Sequence, residues 1–261
     1  MQLTRAPTDG APSQKFRLAL LGGFELAGPD GLVDLAGGKL VGLLAYLACT
    51  APRPQSREKL SALLWGSHFD AQAKQNLRQA LARLRKVLGP NALESDGEVV
   101  SLNPAIVLSD VGRFETLIRE GGREALAAAA DLYRGRLLDD LALTEEGWND
   151  WLTAERERLL ELVLGGLMQL GEQELAVGHA EQALKAGRRA IALNAMREDA
   201  HRLIVQALAA TGRKAEALKH YQDLVALLKR ELSTEPDAVT KALAAELRRT
   251  QIGRASCRER V

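Results

Sequence analysis

The sequence is poor in several features that would define its class. Only two cysteines, Cys49 and Cys257, occur in 261 residues, so neither a disulfide framework nor a cysteine-ligated metal site is expected. No apolar run approaches the roughly 18 residues of a membrane span, and the polar N-terminus lacks the apolar centre of a secretory signal. We therefore expect a cytoplasmic protein with no membrane partner.

Aromatic residues make up 4% of the chain, whereas hydrophobic residues make up 46% and are mostly Ala and Leu. This balance favours helices over strands. Catalytic signatures are missing as well, because the sequence contains neither a phosphate-binding G-x-x-x-x-G-K-[ST] loop nor a G-x-S-x-G nucleophile motif. The four histidines follow no metal-ligand spacing, and paired carboxylates such as Glu145 and Glu146 fit a helix-end or solvated role. We expect no enzyme activity, no cofactor and no metal.

The region 15–108 combines short β-like runs with helices. The pattern first predicts two strands around Gly22-Gly23 and a helix over 38–50. A second helix is capped by Ser56 and runs to Trp65, and a third, over 71–88, is capped by Asp70 and ended by Gly89. A hairpin is predicted around Asp96-Gly97. Strands, three helices and a hairpin are the layout of a winged helix-turn-helix domain with an N-terminal sheet.

The region 109–250 is nearly pure helix, with a domain boundary near Ser109-Asp110. It partly repeats itself: Ala183 and Leu184 match Ala217 and Leu218, 34 residues further on (217 − 183 = 34). A 34-residue period of helix pairs is typical of tetratricopeptide repeats. The sequence therefore predicts a mostly α protein, in which a winged helix-turn-helix domain is followed by an all-α helical-repeat domain.

The two ends of the sequence differ from the rest. The leader, 1–14, is rich in Pro, Gly and polar residues and is predicted to be disordered. The tail, 251–261, abandons the Leu/Ala periodicity, and its last ten residues, IGRASCRERV, resemble the translation of a common sequencing adapter. We interpret this tail as an artefact that replaces a longer natural chain; the alternative is a natural basic tail.

One predicted helix carries a concentrated positive charge. The stretch 73–89 has five basic residues and no acidic one, in a chain of net charge +1. On a helical wheel, Leu77 and the other apolar residues form one face, while Arg, Lys, Gln and a small Ala occupy the other. Arg and Lys pair with guanine edges or phosphates, and Gln with adenine. Double-stranded DNA is the expected partner, with base edges facing Gln75, Arg78, Gln79, Ala82 and Lys86, and phosphates held by Arg53, Arg57, Lys74, Arg83 and Arg85.

The stretch KLVGLLAYLACTAPRPQSREKLSALLWGSHFDAQAKQNLRQALARLRKVLG (39–89) resembles the DNA-binding domain of SARP-type transcriptional activators. LYRGRLL (132–138), WLTAERERL (151–159) and 210–232 resemble the bacterial transcriptional activator domain that follows in that family. The resemblance implies promoter binding at repeated sites, contact with RNA polymerase subunits and self-association on those sites. The predicted wing departs from the family because it ends in EVVSL (98–102) and carries no Arg or Lys.

Two other functions remain open. The protein is a scaffold if the helical repeats carry the function and duplex DNA does not bind. It is the regulatory N-terminal part of a longer ATPase- or cyclase-type signalling protein if further domains follow, as they do in some family members.

Overall fold

A computed structural model describes residues 15–258, with side chains described up to residue 249. The predicted leader, 1–14, lies outside the described residues, as do the side chains of the predicted artefact tail, 251–261. The described chain is mostly helical and forms two compact units. The first contains the residues up to Thr116 together with Leu132–Leu159, and the second contains Leu117–Asp131 and the residues from Leu160 onward.

All the strands of the described residues lie in the first unit. In chain order they are β1 (Phe16–Ala19), β2 (Glu25–Gly28), β3 (Gly31–Leu32), β4 (Gln55–Ser56), β5 (Leu93–Asp96), β6 (Val99–Leu102) and β7 (Val107–Ser109). One sheet has the order β3-β2-β1-β7 and the other β4-β6-β5. In the first sheet β1 pairs antiparallel with β2 and parallel with β7.

The helices occupy most of the remaining chain. In chain order they are α1 (Gly38–Thr50), α2 (Arg57–Trp65), α3 (Asp70–Leu88), α4 (Asp110–Glu120), α5 (Arg123–Leu132), α6 (Glu146–Ala176), α7 (Ala180–Leu193), α8 (Glu198–Ala210), α9 (Lys214–Leu232) and α10 (Ala238–Arg258). None of the described helices is long and apolar enough to cross a membrane.

The local signals of the sequence account for most elements of the first unit. The two strands around Gly22-Gly23 form an antiparallel pair, and Gly22 has a φ of 116°, which favours glycine. Ser56 caps α2 as predicted, since its hydroxyl accepts the Lys59 N–H at 3.1 Å. The predicted hairpin is formed by β5 and β6 in antiparallel register, with Gly97 at φ 53°.

The segment 132–159 packs with the N-terminal sheet inside the first unit. Leu21 and Leu137 form an antiparallel bridge, and the N–H of Leu138 donates to the carbonyl oxygen of Leu20 at 2.9 Å. Arg156 of α6 donates from Nε to the Leu137 carbonyl oxygen at 2.8 Å and from Nη2 to that of Leu138 at 2.7 Å. These bonds make a segment far along the chain part of the β-containing unit.

The second unit contains pairs of packed helices with small residues at their contacts. The starts of α7 (Ala180) and α9 (Lys214) are 34 residues apart (214 − 180 = 34), which matches the predicted repeat. A Cβ added at Gly187 of α7 would lie 2.7 Å from Cγ1 of Ile204 in α8, so these helices approach closely because position 187 has no side chain. The helices α7 to α9 therefore have the tetratricopeptide-like packing that the period predicted.

Candidate nucleic-acid interface

The third helix separates apolar and basic side chains as the wheel predicted. Its buried residues are Ala73, Leu77, Ala80, Leu81, Leu84 and Leu88. The rest of the helix surface is open to solvent, and its exposed site residues are Lys74, Gln75, Arg78, Gln79, Ala82, Arg83 and Lys86, with Arg85 half-buried beside them. Neither sheet nor hairpin of the first unit covers this face. The helix thus presents a continuous row of Arg, Lys and Gln around a small Ala.

The beginning of α3 differs from the sequence prediction. Asp70 was expected to cap the helix, but Phe69 occupies the N-cap position and no side chain there accepts a backbone N–H. Asp70 is the first helical residue, and its carboxylate binds the Lys74 ammonium at 3.0 Å. The cap prediction was wrong because an acid in the first turn also interacts well with the positive end of the helix dipole. Gly89 ends α3 as predicted, with φ 90°.

Five of the predicted site residues form side-chain bonds in the first unit. Lys74 binds Asp70, and this hydrogen bond raises the pKa of Lys74. Arg78 donates from Nη1 to the Gln75 amide oxygen at 2.8 Å. Arg57 donates from Nε to the Gly97 carbonyl oxygen at 2.8 Å, and Arg85 donates to the Ser95 hydroxyl. Arg57 and Arg85 therefore attach the β5–β6 hairpin to α2 and α3.

Other predicted residues make no side-chain bond within the described part of the chain. These are Arg53, which is exposed in the loop before β4, and Gln79, Arg83 and Lys86 of α3. Gln79 and Arg83 also line an open cavity between α3 and the start of α1, together with Lys39 and Asn76. Their donors are available to an external acceptor such as a phosphate or a base edge.

The hairpin beside α3 has the opposite charge. Glu94, Asp96 and Glu98 are exposed on it, and no Lys or Arg lies between Leu93 and Leu102. The positive surface of this region therefore belongs to α3 and the neighbouring Arg53 and Arg57. No group of three or more His, Cys, Asp or Glu side chains in the described residues could hold a metal ion.

A buried carboxylate close to α3 could not be predicted from the sequence. Glu145 was expected at a helix end or in solvent; it does lie at a helix end, directly before α6, but it is buried, with only 5% of its surface exposed. It binds the Lys39 ammonium at 2.6 Å and accepts from both the hydroxyl and the N–H of Ser67. Burial alone would raise the pKa of the Glu145 carboxyl, but the bonds from Lys39 and Ser67 lower it below its usual range. The side chain is therefore ionised at neutral pH. The one related signal in the sequence was the position of Lys39 at the start of a predicted helix.

A mixed α/β unit with an exposed basic helix and a unit of helix pairs define a class of transcription regulators. The model of the bacterial transcriptional activator domain matches residues 110–248, and the chain belongs to this family, among its SARP-type members.

The chain is similar in sequence to two curated regulatory proteins. The chain is 31% identical over 206 residues to the regulatory protein AfsR of Streptomyces coelicolor (strain ATCC BAA-471 / A3(2) / M145), a match that covers 74% of this chain and 20% of that protein. It is 27% identical over 241 residues to AfsR of Streptomyces griseus, covering 89% and 24%. The chain thus spans about a fifth to a quarter of the length of these relatives.

One solved structure has a similar fold. It is that of Mycobacterium tuberculosis EmbR in complex with a low-affinity phosphopeptide, with a TM-score of 0.77 and 21% identity, covering 91% of this chain and 66% of that one. At this identity the likeness concerns the fold alone.

Proposed function

We propose that the protein is a sequence-specific transcription regulator, an activator, that binds promoter DNA in the cytoplasm with α3. The observation that carries the proposal is the exposed face of α3, where Arg78, Gln79 and Lys86 surround Ala82 and the stretch 73–89 contains no acidic residue. A face of this kind enters a major groove, since Ala82 leaves room for the helix to approach the bases. In this proposal α2, the turn and α3 form a helix-turn-helix, and the hairpin β5–β6 is its wing.

We propose that the ten predicted site residues divide into two groups. The side chains of Gln75, Arg78, Gln79, Ala82 and Lys86 are exposed on α3 and are proposed to meet base edges. The remaining residues flank this face or lie on the adjoining loop and helix, and they are proposed to hold phosphates: Arg53, Arg57, Lys74, Arg83 and Arg85. Because the wing carries Glu94, Asp96 and Glu98, we propose that it stays away from the phosphates rather than entering the minor groove.

The helix pairs of the second unit are proposed to bind protein. Stacked pairs of this type offer an extended surface for a polypeptide, and the partners proposed from the family are RNA polymerase subunits or another protomer on a repeated site. The same architecture supports the second candidate function, an interaction scaffold in which α3 binds no DNA. We propose no catalytic role for this chain.

The test is a selection from a random pool of duplexes by the full chain, repeated at two salt concentrations. A sequence-specific regulator enriches one motif at both salt concentrations, and the logarithm of its binding constant falls linearly with the logarithm of the salt concentration. Enrichment of two motifs about one helical turn apart supports self-association on repeated sites. Weak, equal binding to every duplex contradicts the proposal and favours the scaffold.

A further inference from the structure

The turn between α2 and α3 is held by a carboxylate from a distant part of the chain. Oε1 of Glu145 accepts from the Ser67 hydroxyl at 2.9 Å, and Oε2 accepts from the Ser67 N–H at 3.1 Å. The turn itself is short, since α2 ends at Trp65 and α3 begins at Asp70. One buried anion therefore binds the middle of the turn at both its backbone and its side chain.

The same carboxylate reaches the first helix. Oε1 of Glu145 binds the ammonium of Lys39, in the first turn of α1, at 2.6 Å, and that ammonium lies 5.8 Å from the ring centroid of Trp65, the last residue of α2. Loss of Lys39 would leave the buried carboxylate of Glu145 without its charged partner, whereas Lys39 itself is only partly buried. Glu145 thus fixes the start of α1, the end of α2 and the turn relative to one another.

The residues around Glu145 leave it little freedom. A Cβ added at Gly38 of α1 would lie 3.0 Å from Cδ2 of Leu143, and one at Gly42 would lie 3.2 Å from the ring of Trp148. Trp148 is completely buried. The chain on both sides of Glu145 is therefore packed tightly against α1 within the first unit, so the carboxylate is a fixed point and not a mobile surface group.

We propose that Glu145 is a positioning residue for DNA recognition: it sets the turn that aims α3, so the segment 132–159 is a working part of the DNA-binding unit. This proposal rests on the proposed function. Groove recognition needs side chains within a fraction of an ångström of the base edges, and a loosened turn would tilt the whole basic face. Binding to an unrelated duplex tolerates such a tilt better, because it rests on the sequence-independent attraction between basic side chains and phosphates.

The experiment compares Glu145→Gln with Glu146→Gln in the full chain. The two variants remove the same charge from adjacent positions, but Glu146 is exposed. Each is titrated with the duplex selected from the random pool and with an unrelated duplex. We expect Glu145→Gln to weaken binding to the selected duplex by about tenfold or more, with a change of less than about threefold on the unrelated one, while Glu146→Gln leaves both unchanged.

The ratio of the two affinities distinguishes positioning from general stability. A loss of folded protein lowers both affinities by one factor, so an equal fall on both duplexes, or no fall, overturns the proposal. Ser67→Ala removes only the hydroxyl donor and replaces Glu145→Gln in the experiment if that variant fails to fold. We expect it to weaken binding to the selected duplex, and not to the unrelated one, by about threefold. The absence of this selective loss also overturns the proposal.

A second measurement does not depend on DNA. Hydrogen exchange of the Ser67 amide, which donates to Glu145, should become faster in Glu145→Gln and stay unchanged in Glu146→Gln. If the wild type prefers no duplex, the proposed function fails, and with it the role of Glu145 in recognition; exchange then shows separately whether Glu145 holds the turn. Unchanged exchange at Ser67 contradicts that contact and the positioning proposal.

Discussion

Arg57 at the start of α2 donates from Nε to the carbonyl oxygen of Gly97 at the tip of the β5–β6 hairpin, at a distance of 2.8 Å. Its backbone N–H also donates to the carbonyl oxygen of Glu98 at 2.8 Å. The side chain therefore has a structural contact as well as its proposed phosphate contact, which its terminal amino groups would make.

This double role separates Arg57 from Arg53. We expect Arg57→Ala to lower the free energy of unfolding by roughly 0.5–1 kcal/mol, since one hydrogen bond is lost, and to lower the salt slope of DNA binding by about one. The Arg53 side chain is exposed and makes no hydrogen bond or ion pair among the described residues, so its replacement by Ala should change only the salt slope. Denaturant titration and binding at several salt concentrations check both. Equal stabilities of the two variants would show that the hairpin contact contributes nothing.

Arg78 tests the base-facing side of α3. Arg78→Ala should weaken binding to the selected duplex by roughly 1–3 kcal/mol and relax the preference at one base position. The matched control is Arg119→Ala, which removes another exposed guanidinium, from α4, and should leave binding unchanged. Electrophoretic shift assays with single-base variants of the duplex measure the effect, and an Arg78→Ala protein with wild-type specificity would remove this residue from the interface.

The Asp70–Lys74 pair predicts opposite effects of two charge changes. Lys74→Ala should lower affinity for all duplexes and flatten the salt dependence, because a phosphate contact is lost. Asp70→Asn should raise affinity for all duplexes, since it frees the Lys74 ammonium, now bound at 3.0 Å, and removes a repelling charge. Titrations of one selected and one unrelated duplex check the uniformity. A change confined to the selected duplex would contradict a phosphate role for Lys74.

Two glycines of the second unit should respond oppositely to the same substitution. Gly187→Ala should destabilise the unit by roughly 1–3 kcal/mol through overpacking, because the new methyl group would lie 2.7 Å from Ile204 Cγ1 and 3.3 Å from the Ala200 carbonyl oxygen. Gly165→Ala, inside α6 with nothing within 4 Å, should stabilise it by about 0.5–1 kcal/mol. Hydrogen exchange of the α8 amides measures both changes in stability. If both substitutions stabilised the unit, or both destabilised it, this packing would be contradicted.

The stability of the second unit should depend on pH through a histidine pair. Nε2 of His201 donates to the Ala195 carbonyl oxygen at 2.9 Å, and Nδ1 of His201 shares a hydrogen bond with Nε2 of His220 at 3.0 Å. Burial, and then the neighbouring His201, lower the pKa of His220 to about 4. The unfolded chain therefore binds more protons than the folded one between pH 6.5 and 4.

Stability should accordingly fall by roughly 2–3 kcal/mol as the pH is lowered through this interval, and His220 should add no further change below it. In His220→Gln the amide can still donate to His201, but the titration is lost, so the fall should be smaller by that amount. Denaturant titrations from pH 7 to 4 measure the difference. Identical pH profiles for wild type and variant would contradict the lowered pKa.

The amino-acid sequence by itself determined the features that depend on neighbours along the chain. The apolar period predicted the core face of α3, and Ser56 and Gly89 predicted the start of α2 and the end of α3, because these signals act within one or two helical turns. The 34-residue repeat predicted α7 and α9 because repeated units make the same contacts. The basic face of α3 could be predicted for the same reason.

Only the tertiary structure decided which charges remain on that face and what holds it. The Glu145 contacts join residues 106 and 78 positions apart, and those of Arg57 and Arg85 depend on where the hairpin folds. Periodicity and capping contain no information about such pairs, since a carboxylate next to a helix start looks the same in solvent and in the core. Burial and the bonds from Lys39 and Ser67 together make Glu145 the fixed point between α1 and the turn before α3.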